Sequence, residues 1–371
     1  MKRRLFLLGS LGLIAGCATA PNAPVDVGRI DTPVAPLPPS TPPPPVPPAP
    51  PDMASFLTGP DPVLTPTGDA AFDAYVQKVL NEGGLGWRPY LLRVLQGVRP
   101  DPRVLAAHDA ERAGWITSAP AYVSAIVTPD RVAEGRRQVA TNQALIRIAR
   151  ERRIPPEVLA AYWGVASNYG RERGEFDLIT TVMTLGAHGR GRFFWLWDIY
   201  YATEMIARGR LSRAEAKSFA DGSMGQLRWH PEWYLERAID GDGDGKVDIW
   251  RSPPDVLASI GAILARGWEP DQPWLYQVQD PLLNPADPYA RERGDSWRLG
   301  DLRPAGSRVW TQAEANTQVQ IIRPAGGAVY AAARNFWPLA YSSGVVHYTD
   351  ETESQLWGIA VGMLASAIRG T

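Results

Sequence analysis

Cysteine is nearly absent: Cys17 is the only one in 371 residues. No intrachain disulfide can brace the fold, and no thiolate pair can build a zinc or redox centre. Histidine is scarce as well, and His108, His188, His230 and His347 stand far apart without the spacing of a zinc site. The chain has no phosphate-binding loop, no dinucleotide-binding glycine fingerprint and no Gly-x-Ser-x-Gly nucleophile elbow. Nor does one sign of charge dominate. With 38 Lys and Arg against 39 Asp and Glu, the formal net charge is −1, which argues against nucleic acid as a partner. No internal repeat is present.

What is there begins with an address. Lys2, Arg3 and Arg4 precede an apolar run from Leu5 to Ala15, too short to span a bilayer as a permanent helix. The run ends in Leu13-Ile14-Ala15-Gly16-Cys17, the pattern of a lipobox, in which the small residues admit a signal peptidase and the thiol receives diacylglycerol. Residues 1–17 are therefore read as a lipoprotein signal peptide and Cys17 as the lipidation site, with membrane attachment through the acyl chains. Ala18, where an Asp would retain the protein in the inner membrane, favours the outer one. From 18 to 65 the chain reads as a proline-rich disordered linker, including Pro42-Pro43-Pro44-Pro45. As polyproline II at about 3.1 Å per residue, its proline-rich stretch of roughly 30 residues reaches on the order of 90 Å. A spacer and a ligand for an SH3-like partner are both open uses.

The remainder, 66–371, reads as one mainly α domain. Helical periodicity marks Phe72 to Val76 and Asn142 to Arg153. A further helix starts at Pro155-Pro156, where proline is tolerated, and Gly170 is its expected C-terminal stop. Phe193 to Ala207, a helix opened by a capping-box pattern at Ser252-Pro253-Pro254-Asp255, and Glu353 to Ile368 follow. Between 272 and 325 turn residues and short alternating stretches such as Thr317 to Ile322 predict a small β-containing insertion.

Several segments occur in a telling order: Arg99 to Leu105, Arg131 to Arg136, Trp163 to Gly170, Thr184-Leu185-Gly186 with Phe193-Phe194, and Gly222-Ser223-Met224-Gly225-Gln226. Pro231 with Tyr234-Leu235, Asp240 to Gly245 running into Asp248-Ile249-Trp250, Gly267-Trp268 and Asn335-Phe336 complete the set. Together they resemble the membrane-bound lytic murein transglycosylase B-like family, over essentially everything after the linker. The resemblance implies a lysozyme-like fold and a peptidoglycan substrate. In such enzymes one carboxylic acid protonates the oxygen between N-acetylmuramic acid and N-acetylglucosamine. It then takes the proton of the sugar's own 6-hydroxyl, leaving a 1,6-anhydro product. This is a one-carboxylate variant of the usual two-carboxylate glycosidase scheme.

The family motif is Trp-Gly-x-Glu-(Ser/Thr)-x-(Tyr/Phe)-Gly, and the glutamate position is Ala166 here. A methyl group neither gives nor takes a proton, so no catalytic residue is intact. Other departures cluster with it. The loop at Gly222-Ser223-Met224-Gly225 is short, Arg228-Trp229-His230-Pro231 replaces Gln-Phe-Met-Pro, and Tyr341-Ser342 replaces Tyr-Asn. Glu172, Glu175, Asp198 and Glu204 are the carboxylates considered as substitute acids. The resemblance makes Ser167, Tyr169, Ser223, Gln226, Arg228, Trp229, Trp233 and Tyr341 the candidate sugar-binding residues. Sugar C–H faces pack on aromatic planes, and Trp229 and Trp233 are favoured over Trp195, Trp197 and Tyr200 for that contact, with Trp163, Tyr201 and Tyr234 also nearby. Gln226 could bond an acetamido group or fix the backbone of its own loop.

Asp240, Asp242, Asp244 and Asp248 match ligand positions of an EF-hand-type loop, with Gly245 and Val247 also in register and the Lys246 carbonyl as backbone ligand. The twelfth position is Arg251 rather than a bidentate acid. The expectation is no required cofactor and at most weak calcium binding. Three functions stay open: a wall-binding relative with lost or weakened catalysis, acting as scaffold or regulator of other cell-wall enzymes; a working lytic transglycosylase with a relocated acid; and a structural envelope lipoprotein that does not recognise glycan.

Overall fold

The computed structural model describes residues 51–114, 116–190, 195–281, 296–342 and 351–370. Cys17, the proline run up to residue 50 and Phe193-Phe194 lie outside them. Among the described residues no helix is long and apolar enough to cross a membrane.

Helices dominate: α1 Ala70–Glu82, α2 Gly84–Leu95, α3 Pro102–Ala113, α4 Ala119–Ile126, α5 Pro129–Thr141, α6 Gln143–Arg152 and α7 Pro156–Ser167, then α8 Leu178–Ala187, α9 Trp195–Ala207, α10 Pro231–Arg237 and α11 Pro253–Ala265. After α12 Gln312–Ala315 and α13 Phe336–Ala340 the last is α14 Glu351–Arg369. Their starts follow local chemistry. The side chains of Asp69, Asp101, Thr128, Asn142 and Asp177 each accept a backbone N–H in the first turn of the helix that follows, satisfying donors that the helix leaves unpaired.

The organising element is α7. Its sequence is small and apolar on nearly every side, and all but the first residues and Val165 are buried. That composition suits a helix enclosed by others, and α5, α6, α11 and α14 pack around it. A second group, α1, α2, α8, α9 and α10, packs beside it.

Two short strands, β1 Phe176–Asp177 and β2 Lys217–Ser218, pair antiparallel. The strands β3 Leu275–Val278, β4 Ser296–Arg298, β5 Gln318–Ile322 and β6 Val329–Ala332 form an antiparallel sheet in the order β3-β6-β5-β4. Val278, Trp297, Leu299, Val319, Ile321 and Ala331 give this sheet a small core of its own.

Four boundaries differ from the sequence reading. The folded body starts before 66: Met53 is 0% exposed, Phe56 stacks on Tyr90, and Arg93 donates to Asp61 at 2.7 Å. Apolar residues at 53, 56, 57 and 64 pack on the core, so the linker ends by about 50. The sheet extends past 325, because β6 supplies an interior strand. The helix expected to stop at Gly170 ends at Ser167, where Asn168 already turns left-handed. Finally, the Ser252 side chain accepts the Asp255 N–H, but the Asp255 carboxylate accepts from Gly241 and Asp248 instead of closing the capping box.

Candidate functional site

At the C-terminal end of α7 three residues in succession take positive φ: Asn168 at 50°, Tyr169 at 58° and Gly170 at 79°. Only the last is a glycine, and the left-handed region costs other residues about 1–2 kcal/mol each. The turn is held from several directions. Ser167 Oγ donates to the Trp163 carbonyl and accepts the Gly170 N–H at 3.1 Å. The Tyr169 ring meets Trp163 edge-on at 5.9 Å, and its hydroxyl donates to the Arg131 carbonyl at 2.7 Å. Ser167 and Tyr169 therefore serve the turn itself.

The turn exists to receive Gln226. The Gln226 side chain accepts from Trp163 Nε1 at 2.8 Å and donates to the Trp250 carbonyl at 2.9 Å. It is 1% exposed, and both its side-chain bonds run to segments outside its own loop. Gly170 makes room: a Cβ there would lie 2.2 Å from Gln226 Oε1. Next to Trp163 on α7, Tyr162 donates to the Ser342 carbonyl at 2.7 Å and accepts from Trp229 Nε1 at 3.3 Å. Ala166 follows Tyr162 and Trp163 by four and three residues, so it shares their face, and it is 2% exposed. Ala166 is thus framed by the 222–229 loop on one side and Tyr341-Ser342 on the other.

Trp229 and Trp233 are corrected here. They are 0% and 2% exposed, packed edge-to-face at 5.7 Å: Trp229 ends the loop beneath α7, on the Tyr162 hydroxyl, and Trp233 lies on α10. They form the floor and cannot contact a sugar. Tyr341, stacked on Trp337 with ring centroids 5.9 Å apart, and Tyr201 are partly exposed. Nothing is described of the Trp195 side chain.

Polar groups gather where the loop meets the end of α3. Arg228, itself left-handed at φ 51°, lies 3.9 Å over the Phe219 ring, 3.6 Å from Glu111 and 3.8 Å from Asp221. Ser223 is buried, with its hydroxyl on Asp221. Burial works to raise the Asp221 carboxyl, but the Arg228 charge and the Ser223 hydrogen bonds outweigh it and hold the group below the usual carboxylate range. Glu111 moves the other way: desolvation, then the Asp221 charge, push its carboxyl up against the pull of Arg228. Glu111 was not visible as a site residue in the sequence, since only the fold brings α3 to the loop.

The substitute acids fare differently. Asp198 is sealed, 3% exposed, with His230 Nδ1 at 3.2 Å. Glu204 pairs with Arg208 at 2.8 Å. Glu172 and Glu175 are exposed.

Among the described residues, the carboxylates of Asp240, Asp242 and Asp244 form the one group that brings three ligand oxygens within 4.8 Å of one another. The Gly245 and Gly243 N–H groups hold the Asp240 carboxyl low. Asp248 does not join them. Its carboxylate caps the Trp250 and Arg251 N–H groups and pairs with the Arg251 guanidinium at 2.7 Å. Asp255 supports the loop from inside, on the Gly241 and Asp248 N–H groups, and burial raises its carboxyl.

A family model described as a transglycosylase SLT domain matches residues 71–365. The membrane-bound lytic murein transglycosylase B of Escherichia coli (strain K12) is 27% identical over 213 residues, 52% of this chain and 56% of that protein. The match thus spans little more than half the length of that relative. Among solved structures, SltB3 from Pseudomonas aeruginosa in complex with NAG-anhNAM-pentapeptide is 27% identical, with a TM-score of 0.64 over 82% of this chain and 80% of that one. The Escherichia coli Slt35 in complex with calcium, 19% identical, has a TM-score of 0.58 over 81% and 93% and shares the fold. The mainly α architecture is that of the lysozyme-like lytic transglycosylases.

The Gly170–Gln226 fit can be tested by a double-mutant cycle in urea. Gly170→Ala should lower stability by about 2–4 kcal/mol, from the left-handed Cβ and the overlap. Gln226→Ala should cost about 1–3 kcal/mol by orphaning Trp163 Nε1 and the Trp250 carbonyl. The double variant should fall well short of the sum; strict additivity would show that the glycine does not make room for the amide.

Proposed function

We propose that this chain, which belongs to the transglycosylase SLT-domain family, binds peptidoglycan glycan strands and has lost nearly all power to cut them. The observation that carries the reading is Ala166: a buried methyl at the end of α7, inside a frame whose Trp163, Tyr169, Gly170 and Gln226 interlock. A general acid contributes about 10²- to 10⁴-fold, so its removal strips the chemical step. Recognition is a separate matter, and Tyr341 with Trp337 keeps a half-exposed stacked surface suited to sugar faces. The SltB3 complexes contain NAG-NAM-pentapeptide and its anhydro form, which supports glycan as the ligand here.

A second reading has one observation in its favour. Glu111, with its raised carboxyl beside Asp221 and Arg228, has the protonation tendency an acid catalyst needs. It would deliver its proton to the glycosidic oxygen and then take the 6-hydroxyl proton, as the sequence scheme requires of one carboxylate.

Incubation with purified sacculi, followed by muropeptide chromatography, separates these readings. Wild type should release no anhydro products above a protein-free blank yet be enriched on sacculi over a denatured control. Ala166→Glu should raise anhydro release by at least about tenfold. Products from wild type that vanish in Glu111→Gln would establish the second reading. No enrichment on sacculi would leave a structural lipoprotein that does not recognise glycan.

Two properties complete the proposal. The acidic loop fits a hard cation in part: Asp240, Asp242 and Asp244 converge, while Arg251 occupies the place of the twelfth ligand and neutralises Asp248. Calcium should bind in the range of about 10⁻⁴–10⁻³ M or weaker, and Arg251→Glu should tighten it about tenfold or more in a calorimetric titration; an unchanged affinity would remove the loop as a site. Cys17 is the lipid anchor of an outer-membrane lipoprotein facing the periplasm. Labelled palmitate should enter wild type and not Cys17→Ser, and equal labelling would refute the anchor.

A further inference from the structure

The described residues contain five non-glycine residues at left-handed φ, and they fall in two places. Asn168, Tyr169 and Arg228 belong to the site at the C-terminal end of α7. Arg153 at 54° and Asp271 at 67° face each other at its other end, with Arg153 Nη2 3.8 Å from Asp271 Oδ2. Strain of this kind persists where surrounding structure imposes it and gathers at functional sites. Arg153 is the C-cap of α6, with its N–H on the Ala149 and Arg150 carbonyls, a position where glycine is the residue of choice. The chain instead keeps a long cation there.

Between these residues opens a cleft of about 650 Å³, bounded by the α6–α7 corner, the 270–276 segment, α12 and the end of α14. It is separate from the first site: Ala166 lies ten residues beyond Pro156 along α7, about 15 Å at the helical rise. Its wall has paired chemistry. Arg153 and Arg369 supply cations, Asp271 supplies an exposed anion, and Trp274 and Tyr276 supply aromatic surface; Glu314 is paired with Arg308, which also lies over Tyr276, and Arg369 stands 3.6 Å from Glu157. Arg369 is laid over the Trp274 ring at 4.4 Å, and the indole is fixed by its bond to the Gly362 carbonyl at 3.0 Å. Arg153 and Asp271 keep 70% and 93% of their side-chain surface in solvent, so their mutual pairing is weak and gives way readily to a ligand.

We infer that this cleft is a second binding site, for a short peptide that carries both an ammonium group and a carboxylate. The carboxylate would lie against Arg153 and Arg369, the ammonium against Asp271, and the alkyl stem toward Tyr276. In taking that peptide to be the stem of the cell wall, the inference rests on the wall-binding function proposed above.

Calorimetric titration of the full chain with a synthetic lysine-containing pentapeptide, free of sugar, tests the site. Wild type should bind it, and Arg153→Gly should weaken it at least tenfold while the melting temperature stays level or rises. A purely structural residue would not show that opposition, since glycine relieves the left-handed turn. Asp271→Asn, which tolerates the left-handed backbone there, should weaken binding at least threefold. In parallel, the same protein is incubated with glycan strands stripped of peptide. Glycan binding without peptide binding would overturn the second site alone, and so would an Arg153→Gly variant that binds as tightly as wild type. Binding of neither ligand would overturn the wall-directed reading together with it.

Discussion

A buried side-chain amide has to satisfy two opposite demands, and Gln226 meets both by joining parts of the chain far apart in sequence. Its oxygen takes the Trp163 indole proton and its nitrogen serves the Trp250 carbonyl. Either end left unpaired would cost about 1–3 kcal/mol, so the end of α7, the 224–229 turn and the 249–250 segment are held as one piece. The backbone adds to this, since the Gln226 N–H donates to the Ile249 carbonyl at 2.8 Å. Beyond Ile249 lies the acidic loop, braced from within by Asp255. The left-handed run at 168–170 is the conformational cost of admitting the amide.

That linkage explains why the frame does not depend on which side chain stands at 166. Interactions that act equally on bound substrate and transition state set affinity, whereas those unique to the transition state set the rate. A proton donor belongs to the second kind. The Trp163–Gln226 bond, the Tyr169 hydroxyl on the Arg131 carbonyl and the Tyr162 hydroxyl on the Ser342 carbonyl belong to neither. They fix geometry regardless of which side chain stands at 166. A buried alanine fits its packing without the burial penalty a carboxyl would bring, so the frame is under no pressure to collapse.

Much of this was legible in the chain itself where the controlling chemistry is local. Asn142 caps α6 and Arg153 closes it, as the periodicity from 142 to 153 implied, and α11 begins after Ser252. The ordered motifs gave the family and the lysozyme-like fold. Failures came where contacts are distant in sequence. Trp229 and Trp233 read as a loop region, which suggested exposure; Trp233 instead lies on the short α10, and the two indoles are buried against each other, Trp229 also on Tyr162 of α7. Arg228 was noticed as a departure, but its partners Glu111 and Asp221 come from α3 and from the far side of the loop. Asp248 matches an EF-hand position by spacing, yet spacing cannot report that Arg251 holds it. Residues near Met53 looked like linker because proline dominates just before them, while the packing of Phe56 on Tyr90 is invisible to composition.

The distribution of strain gives the architecture its logic. The middle of α7 carries Ala160, Ala161 and Gly164, small enough for close approach; a Cβ at Gly164 would lie 2.7 Å from the Tyr169 ring. Tight packing on all sides makes the helix a stiff strut, because interiors at this density resist small displacements. A stiff element can hold unusual backbone at its ends, where neighbouring segments are fixed relative to it. All the described left-handed non-glycine residues lie either at the turn just past α7 and on the loop it receives, or at the corner just before it and opposite that corner. Regular packing in the centre therefore maintains irregular geometry at both extremities, and it is at those extremities that charged and aromatic side chains face solvent.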